Sequence, residues 1–211
     1  MTAKRKDTSV TAAELMAELQ RDPEYRGRME KQEQEHQSRV TEWRRAEQPL
    51  IDELRAAGFD VESVWDLFNR KEPWNKKELI RPYLEALPIL FKHLQLPYPD
   101  RVREGIARAL AVPEARSGWG ILKAVFEADP SHSGAGSKFA VGLALATAAD
   151  DSVLEELIRL ACDSRHGESR VALLLALCKS QQPIARAALL ELREDPQLTQ
   201  AVDQLLGRAA I

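Results

Sequence analysis

The sequence predicts an all-α chain: about four helical hairpins preceded by a helical N-terminal extension. Three observations predict it. Residues 1–83 hold 7 Ala and 6 Leu, whereas residues 84–211 hold 22 Ala and 22 Leu. Aromatic residues run the other way, with none after Phe139, and an Ala/Leu core without them suits helices that approach closely and repeatedly. Within the Ala/Leu-rich part, four segments align: VREGIARALA at 102–111, SKFAVGLALA at 137–146, SRVALLLALC at 169–178 and LTQAVDQLLG at 198–207. Finally, the chain has no sustained apolar–polar alternation and no Asn-Gly or Asp-Gly pair, so strands and hairpin turns lack a signal.

Taken in order, Thr11 and Glu14 fit a capping box ahead of Leu15, Met16 and Leu19, and Asp22-Pro23 stops that short helix. Residues 24–47 are rich in Glu, Gln, Arg and Lys. Tyr25, Met29, Gln32, His36, Val40 and Trp43 fall on one stripe, a heptad-like seam with two polar members, and the favoured reading is a mostly solvated helix. Pro49 is expected to begin a new helix, PLIDELRAAGF, with Leu50, Ile51 and Leu54 on one face and Gly58 as its C-terminal cap. Asp60 is expected to open the next element, where Val61, Val64, Trp65 and Phe68 form an apolar stripe that Lys71-Glu72-Pro73-Trp74 breaks. Trp65 reads as a core anchor at the end of the Ala/Leu region. The resulting division is 1–48 as a charged helical arm, 49–83 as capping helices and 84–211 as repeats.

The four aligned segments begin at 102, 137, 169 and 198, so their spacings are 35, 32 and 29 residues. In register, Ile106, Val141, Leu173 and Val202 correspond, and apolar positions recur on one helical face. Each segment follows another helical stretch: 84–94, 117–129, 152–162 and 183–195. Breakers stand between them, including Pro97-Tyr98-Pro99-Asp100, the Gly/Ser-rich loop 130–136 and Asp195-Pro196. Arg103, Lys138 and Arg170 share one register position, broken by Thr199. A basic residue in the first turn of each second helix can reach an acid of the neighbouring hairpin, so these three are expected to form a structural ladder. Asp100, Asp150, Asp151, Asp163, Glu168 and Asp195 are the acids at hand. The other reading is a positive ridge for an acidic partner.

This pattern resembles HEAT repeats, on the strength of LPILFKHLQLPYPDRVREGIARALA (87–111), whose second helix carries Asp-x-Val-Arg-x-x-x-Ala-x-Ala-Leu. The resemblance covers residues 84–211, with Lys138 in place of the usual Arg and Thr199 as a departure in the last repeat. It implies a right-handed α-solenoid, and it implies a shape rather than an activity, because HEAT-like proteins include scaffolds, adaptors, phycobilin lyases and alkylpurine DNA glycosylases.

Chemistry is mostly excluded. Lys+Arg number 30 against 33 Asp+Glu, a net charge of -3, which argues against affinity built on neutralising phosphates. No apolar run approaches the roughly 18–20 residues that span a bilayer. The basic start MTAKRKDTSV has no apolar stretch behind it, so no secretory signal is expected, and two cysteines point to the cytoplasm. His36, His93, His132 and His166 lack a second His or Cys within one turn, so no metal is predicted; His166 reads as a solvated turn residue. There is no Gly-x-Ser-x-Gly, and the 130–136 loop lacks a Gly-Lys-Ser/Thr, so it reads as a flexible connection. Cys162 and Cys178 read as small core residues held too far apart for a disulfide.

The helices FAVGLALATAA (139–149) and VALLLALC (171–178) are apolar nearly all round, which predicts burial or a contact face. The expectation is a non-enzymatic, cofactor-free module that binds a protein as adaptor, scaffold or inhibitor. Arg101, Glu104 and Arg108 on the exposed side of the 102–111 helix, together with Trp119, are the candidate contacts. The alternatives are a nucleic-acid-binding or glycosylase-like enzyme of the same shape, and a structural protein self-associating through 24–47.

Overall fold

The computed structural model describes residues 11–12, 15–16, 21–69 and 83–209. Among them every regular element is helical and none is a strand. The expected cap residue Glu14 and the break at 71–74 lie outside the described residues, while Leu15 and Met16 are exposed. The chain divides between Arg45 and Ala46 into two compact units.

The first helix, α1 (Pro23–Ala56), spans 34 residues and passes through that division. It starts where the Asp22 carboxylate accepts the Glu24 N–H at 2.9 Å, with Pro23 in the first helical position, where its missing N–H costs nothing. From Pro23 to Arg45 no described side chain is buried: Met29, Gln32 and His36 of the seam are exposed, and Tyr25, Val40 and Trp43 are half-buried.

In the second unit, Pro49 sits inside α1 rather than opening a new helix. An interior proline costs about 3 kcal/mol. Leu50, Ile51 and Leu54 are almost wholly buried, and at roughly 1.5–3 kcal/mol each their burial outweighs that cost and keeps the helix continuous. The helix ends as expected at Gly58, whose φ of 90° is a left-handed conformation that suits glycine, and the Phe59 N–H returns to the Leu54 carbonyl at 3.0 Å. The expected 60–68 element is a single 3-10 turn, Val64–Leu67. Ser63, not Asp60, starts it, in a capping box with Asp66. The buried Glu47 carboxylate accepts the Val64 N–H at 2.6 Å and the Ser63 hydroxyl at 3.1 Å, fastening the turn to α1.

Four hairpins follow. They comprise α2 (Leu87–Leu94) with α3 (Asp100–Ala109), α4 (Trp119–Ala128) with α5 (Gly136–Ala148), α6 (Leu154–Cys162) with α7 (Val171–Lys179), and α8 (Pro183–Leu192) with α9 (Thr199–Ala209). Short 3-10 turns at Leu84–Ala86, Pro113–Gly118 and Ser164–Arg170 lead into α2, α4 and α7. Within each hairpin the two helices pack together. Between hairpins α3 packs on α5, α5 on α7 and α7 on α9, while α2 meets α4 and α6 meets α8. The Val64–Leu67 turn lies on α3, where a side chain at Gly105 would strike Val64 and Trp65.

The core is largely aliphatic: Ile106, Leu122, Val141, Leu145, Leu157 and Leu173 are fully buried or nearly so, and Phe91, Phe126 and Trp119 join them as aromatic members that composition did not imply. Small residues set the helix spacing. An added Cβ at Gly142 on α5 would lie 2.9 Å from the Cβ of Ala172 on α7.

Three further expectations, for the 130–136 loop, His166 and the cysteines, differ from the structure. The 130–136 loop is tied down, because Ser169 Oγ donates to the Ser133 carbonyl at 2.6 Å and the Glu168 N–H to the His132 carbonyl at 2.9 Å. Gly167, with φ 55°, permits this approach: a Cβ there would sit 2.7 Å from the His132 carbonyl oxygen. His166 is buried, not solvated, because the same turn folds it against Phe126, ring centroids 4.8 Å apart. Cys162, at the C-terminal end of α6, is exposed and Cys178 half-buried, so neither is a fully buried core residue; both are free thiols.

Candidate functional site

The outward positions of the second helices follow from the register. Glu104, Phe139, Val171 and Gln200 correspond, as do Arg108, Leu143, Leu175 and Gln204. On α3 this face is charged. Arg101 Nη1 lies 3.1 Å and Arg108 Nε 2.9 Å from the Glu104 carboxylate, and the Arg101 guanidinium stacks 3.7 Å above the Trp65 ring. Glu104 is therefore not an exposed contact: its side chain is 13% exposed beneath its two arginines. On α5 and α7 the face is apolar, with Phe139, Leu143 and Val171 half-buried and Leu175 37% exposed. On α9 it is formed by the exposed amides of Gln200 and Gln204.

Trp119, the remaining predicted contact, is buried in the first turn of α4. Its Nε1 donates to Glu156 Oε2 at 3.3 Å, and Lys123 holds the same carboxylate at 3.0 Å. Those two donors, Lys123 first, lower the Glu156 pKa. Trp119 thus joins hairpins two and three and takes no part in the face.

The three aligned bases point away from the face. Arg103 lies 3.6 Å from Asp129 of the next hairpin. The Arg170 guanidinium, itself 1% exposed, reaches Asp195 at 2.8 Å, Gln197 at 2.9 Å and the Gly167 carbonyl at 2.8 Å. Lys138, equally buried, departs from the expected ladder: it makes no ion pair among the described residues, donates to the Asp129 carbonyl of its own hairpin and lies near the Phe126 ring, 5.4 Å from its centroid. Burial pushes the Lys138 ammonium pKa down, and the nearby Asp129 and Asp163 carboxylates oppose that shift. Asp129 was not among the acids expected. Its signal was available, since Asp129, Asp163 and Asp195 each stand within three residues of the end of a hairpin's first helix and follow Arg103, Lys138 and Arg170 by 26, 25 and 25 residues.

His166 completes this buried seam. Its Nε2 lies 3.8 Å from Asp163 Oδ2. Burial, and then the neighbouring Lys138 charge, lower its pKa. Asp163 itself is held at about 2, chiefly by hydrogen bonds from Arg165. No group of three or more potential metal ligands occurs among the described residues.

Two hollows border the apolar strip. One, of about 410 Å³, has Phe139, Val171 and Ala201 as its apolar lining, with Glu168 at one edge and Gln200 and Gln204 on α9. The other, of about 510 Å³, lies at the C-terminal ends of α5 and α7 and gathers Asp150, Asp151 and Lys179 around Leu154. No family model matches the chain, and no curated protein or solved structure matches it. Among the described residues the fold is all-helical, with an apolar strip set between a charged helix and an amide-bearing one. No helix among the described residues is long and apolar enough to cross a membrane.

Proposed function

We propose that residues 84–211 form a right-handed, HEAT-like α-solenoid and that the chain is a non-enzymatic module binding a protein partner along α3, α5, α7 and α9. One observation carries the reading: at the outward positions, where a solvated helix places polar groups, α5 and α7 present Phe139, Leu143, Val171 and Leu175. A polar margin on either side is the arrangement of an interface patch with an apolar centre. The neighbour-to-neighbour packing of four hairpins supports the solenoid. Against a nucleic-acid partner stand Arg103 and Arg170, turned to acids of the next hairpin, and Arg101 and Arg108, both held by Glu104.

The test replaces Leu175, the most exposed member of the strip, with glutamate. Purified wild-type and Leu175→Glu chains serve as baits in the same cell extract, with melting temperatures recorded for both. A protein retained by the wild type and lost by an equally stable variant supports the reading. Identical retention by both, or retention of nothing, refutes it.

A further inference from the structure

We propose that the hollow between α5, α7 and α9 takes a polypeptide segment of the partner carrying an apolar side chain with a lysine or arginine close to it. The apolar side chain would lie on Phe139, Val171 and Ala201, and the cation would face Glu168. This rests on the interaction reading above and specifies the chemistry of the partner.

Glu168 is an acid without a cation among the described residues. The carboxylates of Asp129, Asp163 and Asp195 each lie within 4 Å of an arginine: Arg103, Arg165 and Arg170. Glu168 belongs to the same Ser164–Arg170 turn yet makes no ion pair among the described residues. Its Oε2 accepts only the Gly134 N–H, at 3.3 Å. The two fully buried bases, Arg170 and Lys138, are committed elsewhere, to Asp195 and to the Asp129 carbonyl. Glu168 is exposed and stands at the edge of an apolar hollow, a site where a cation approaching from outside loses little hydration and finds unspent charge.

The opposite wall specifies a polypeptide. Gln200 and Gln204 are one helical turn apart on α9, both exposed, and their side-chain amides make no hydrogen bond among the described residues. Each offers a donor and an acceptor, the pairing that a peptide backbone satisfies. The hollow's one ionised lining group is a carboxylate, so it selects against phosphate-bearing ligands.

The experiment uses the full chain. Phage displaying random dodecapeptides are selected on the wild-type protein, and labelled synthetic copies of the enriched sequences are titrated by fluorescence polarisation against wild type, Glu168→Lys, Gln200→Ala/Gln204→Ala and Leu175→Glu. The expected winners carry an aliphatic or aromatic residue close to Lys or Arg. Glu168→Lys is expected to weaken them at least tenfold, and the glutamine double variant several-fold. A peptide with its basic residue changed to Glu should bind Glu168→Lys better than wild type. Because Glu168 and the two glutamines are exposed, circular dichroism and melting should match wild type. Peptides that lose binding on Leu175→Glu but ignore Glu168→Lys and the charge swap overturn this inference and leave the interaction face standing. Peptides indifferent to every variant, or no enrichment at all, overturn both.

Discussion

Arg170 and His166 sit in one turn and make opposite demands on the fold. The guanidinium of Arg170 is fully buried, and Asp195, Gln197 and two backbone carbonyls accept four of its five N–H groups. Removing it strands those acceptors, while Asp195 retains some solvent contact. Arg170→Met is therefore expected to cost about 2–4 kcal/mol, slightly less than breaking a fully buried pair, as read from urea unfolding midpoints. His166 is buried beside Lys138, with Asp163, Arg165 and Glu127 also facing it, and the balance of burial and like charge keeps its folded-state pKa below the ordinary 6.5. Lowering the pH below 6.5 then protonates the unfolded chain first, so stability falls from that point down to the folded-state value. Asp163, at about 2 when folded against an ordinary 3.8, adds a second loss confined to the range below about 4. His166→Gln should flatten the pH dependence of unfolding free energy between pH 8 and 5 and leave the acid limb in place. An unchanged slope in that upper range would show that His166 is not its source.

At the scale of elements, the seam between α5 and α7 depends on the absence of side chains. Gly142→Val places methyl groups where Ala172 Cβ, the Phe126 ring and the Ser169 carbonyl already stand 2.9–3.3 Å from a single added Cβ. A β-branched residue gains little helix propensity over glycine, so overpacking dominates. The variant is expected to lose about 1–3 kcal/mol, measured by thermal melting. Such seams explain what the sequence disclosed. Ala and Leu recurring on one face announced all eight hairpin helices within a few residues, because helix period and close approach are both written in residue type. Pro49 misled because local backbone preference is weighed against the burial of Leu50, Ile51 and Leu54, which only tertiary packing reveals. His166 misled for the same reason: the exposure of a turn residue depends on what folds over it, here the 130–136 loop allowed in by Gly167. On the candidate face, the apolar character of α5 and α7 was legible. Glu104 was misjudged although its i,i+3 and i,i+4 spacing to Arg101 and Arg108 is that of helical ion pairs, and Trp119 was misjudged because tertiary packing decides its burial.

At the scale of the whole molecule, α1 belongs to two regimes. All of its buried residues, Glu47, Leu50, Ile51 and Leu54, come after the division at Arg45. Two truncations separate these regimes. A chain beginning at Ala46 keeps the three aliphatic anchors and the Glu47 carboxylate that holds the Val64–Leu67 turn, and this turn in turn packs on α3. That chain should melt cooperatively within a few degrees of the full-length protein. A chain beginning at Phe59 exposes what those anchors cover. At roughly 1.5–3 kcal/mol for each aliphatic side chain, the loss amounts to about 5–9 kcal/mol. A domain's entire stability is about 5–15 kcal/mol, so a loss of that size takes most or all of it. The expected result is aggregation or a melting transition lowered by tens of degrees, first evident in loss of the near-ultraviolet signal of Trp65. Equal stability of the two truncations would mean that the second half of α1 is no part of the hairpin core, and a large loss on removing residues 1–45 would place stabilising contacts before the division.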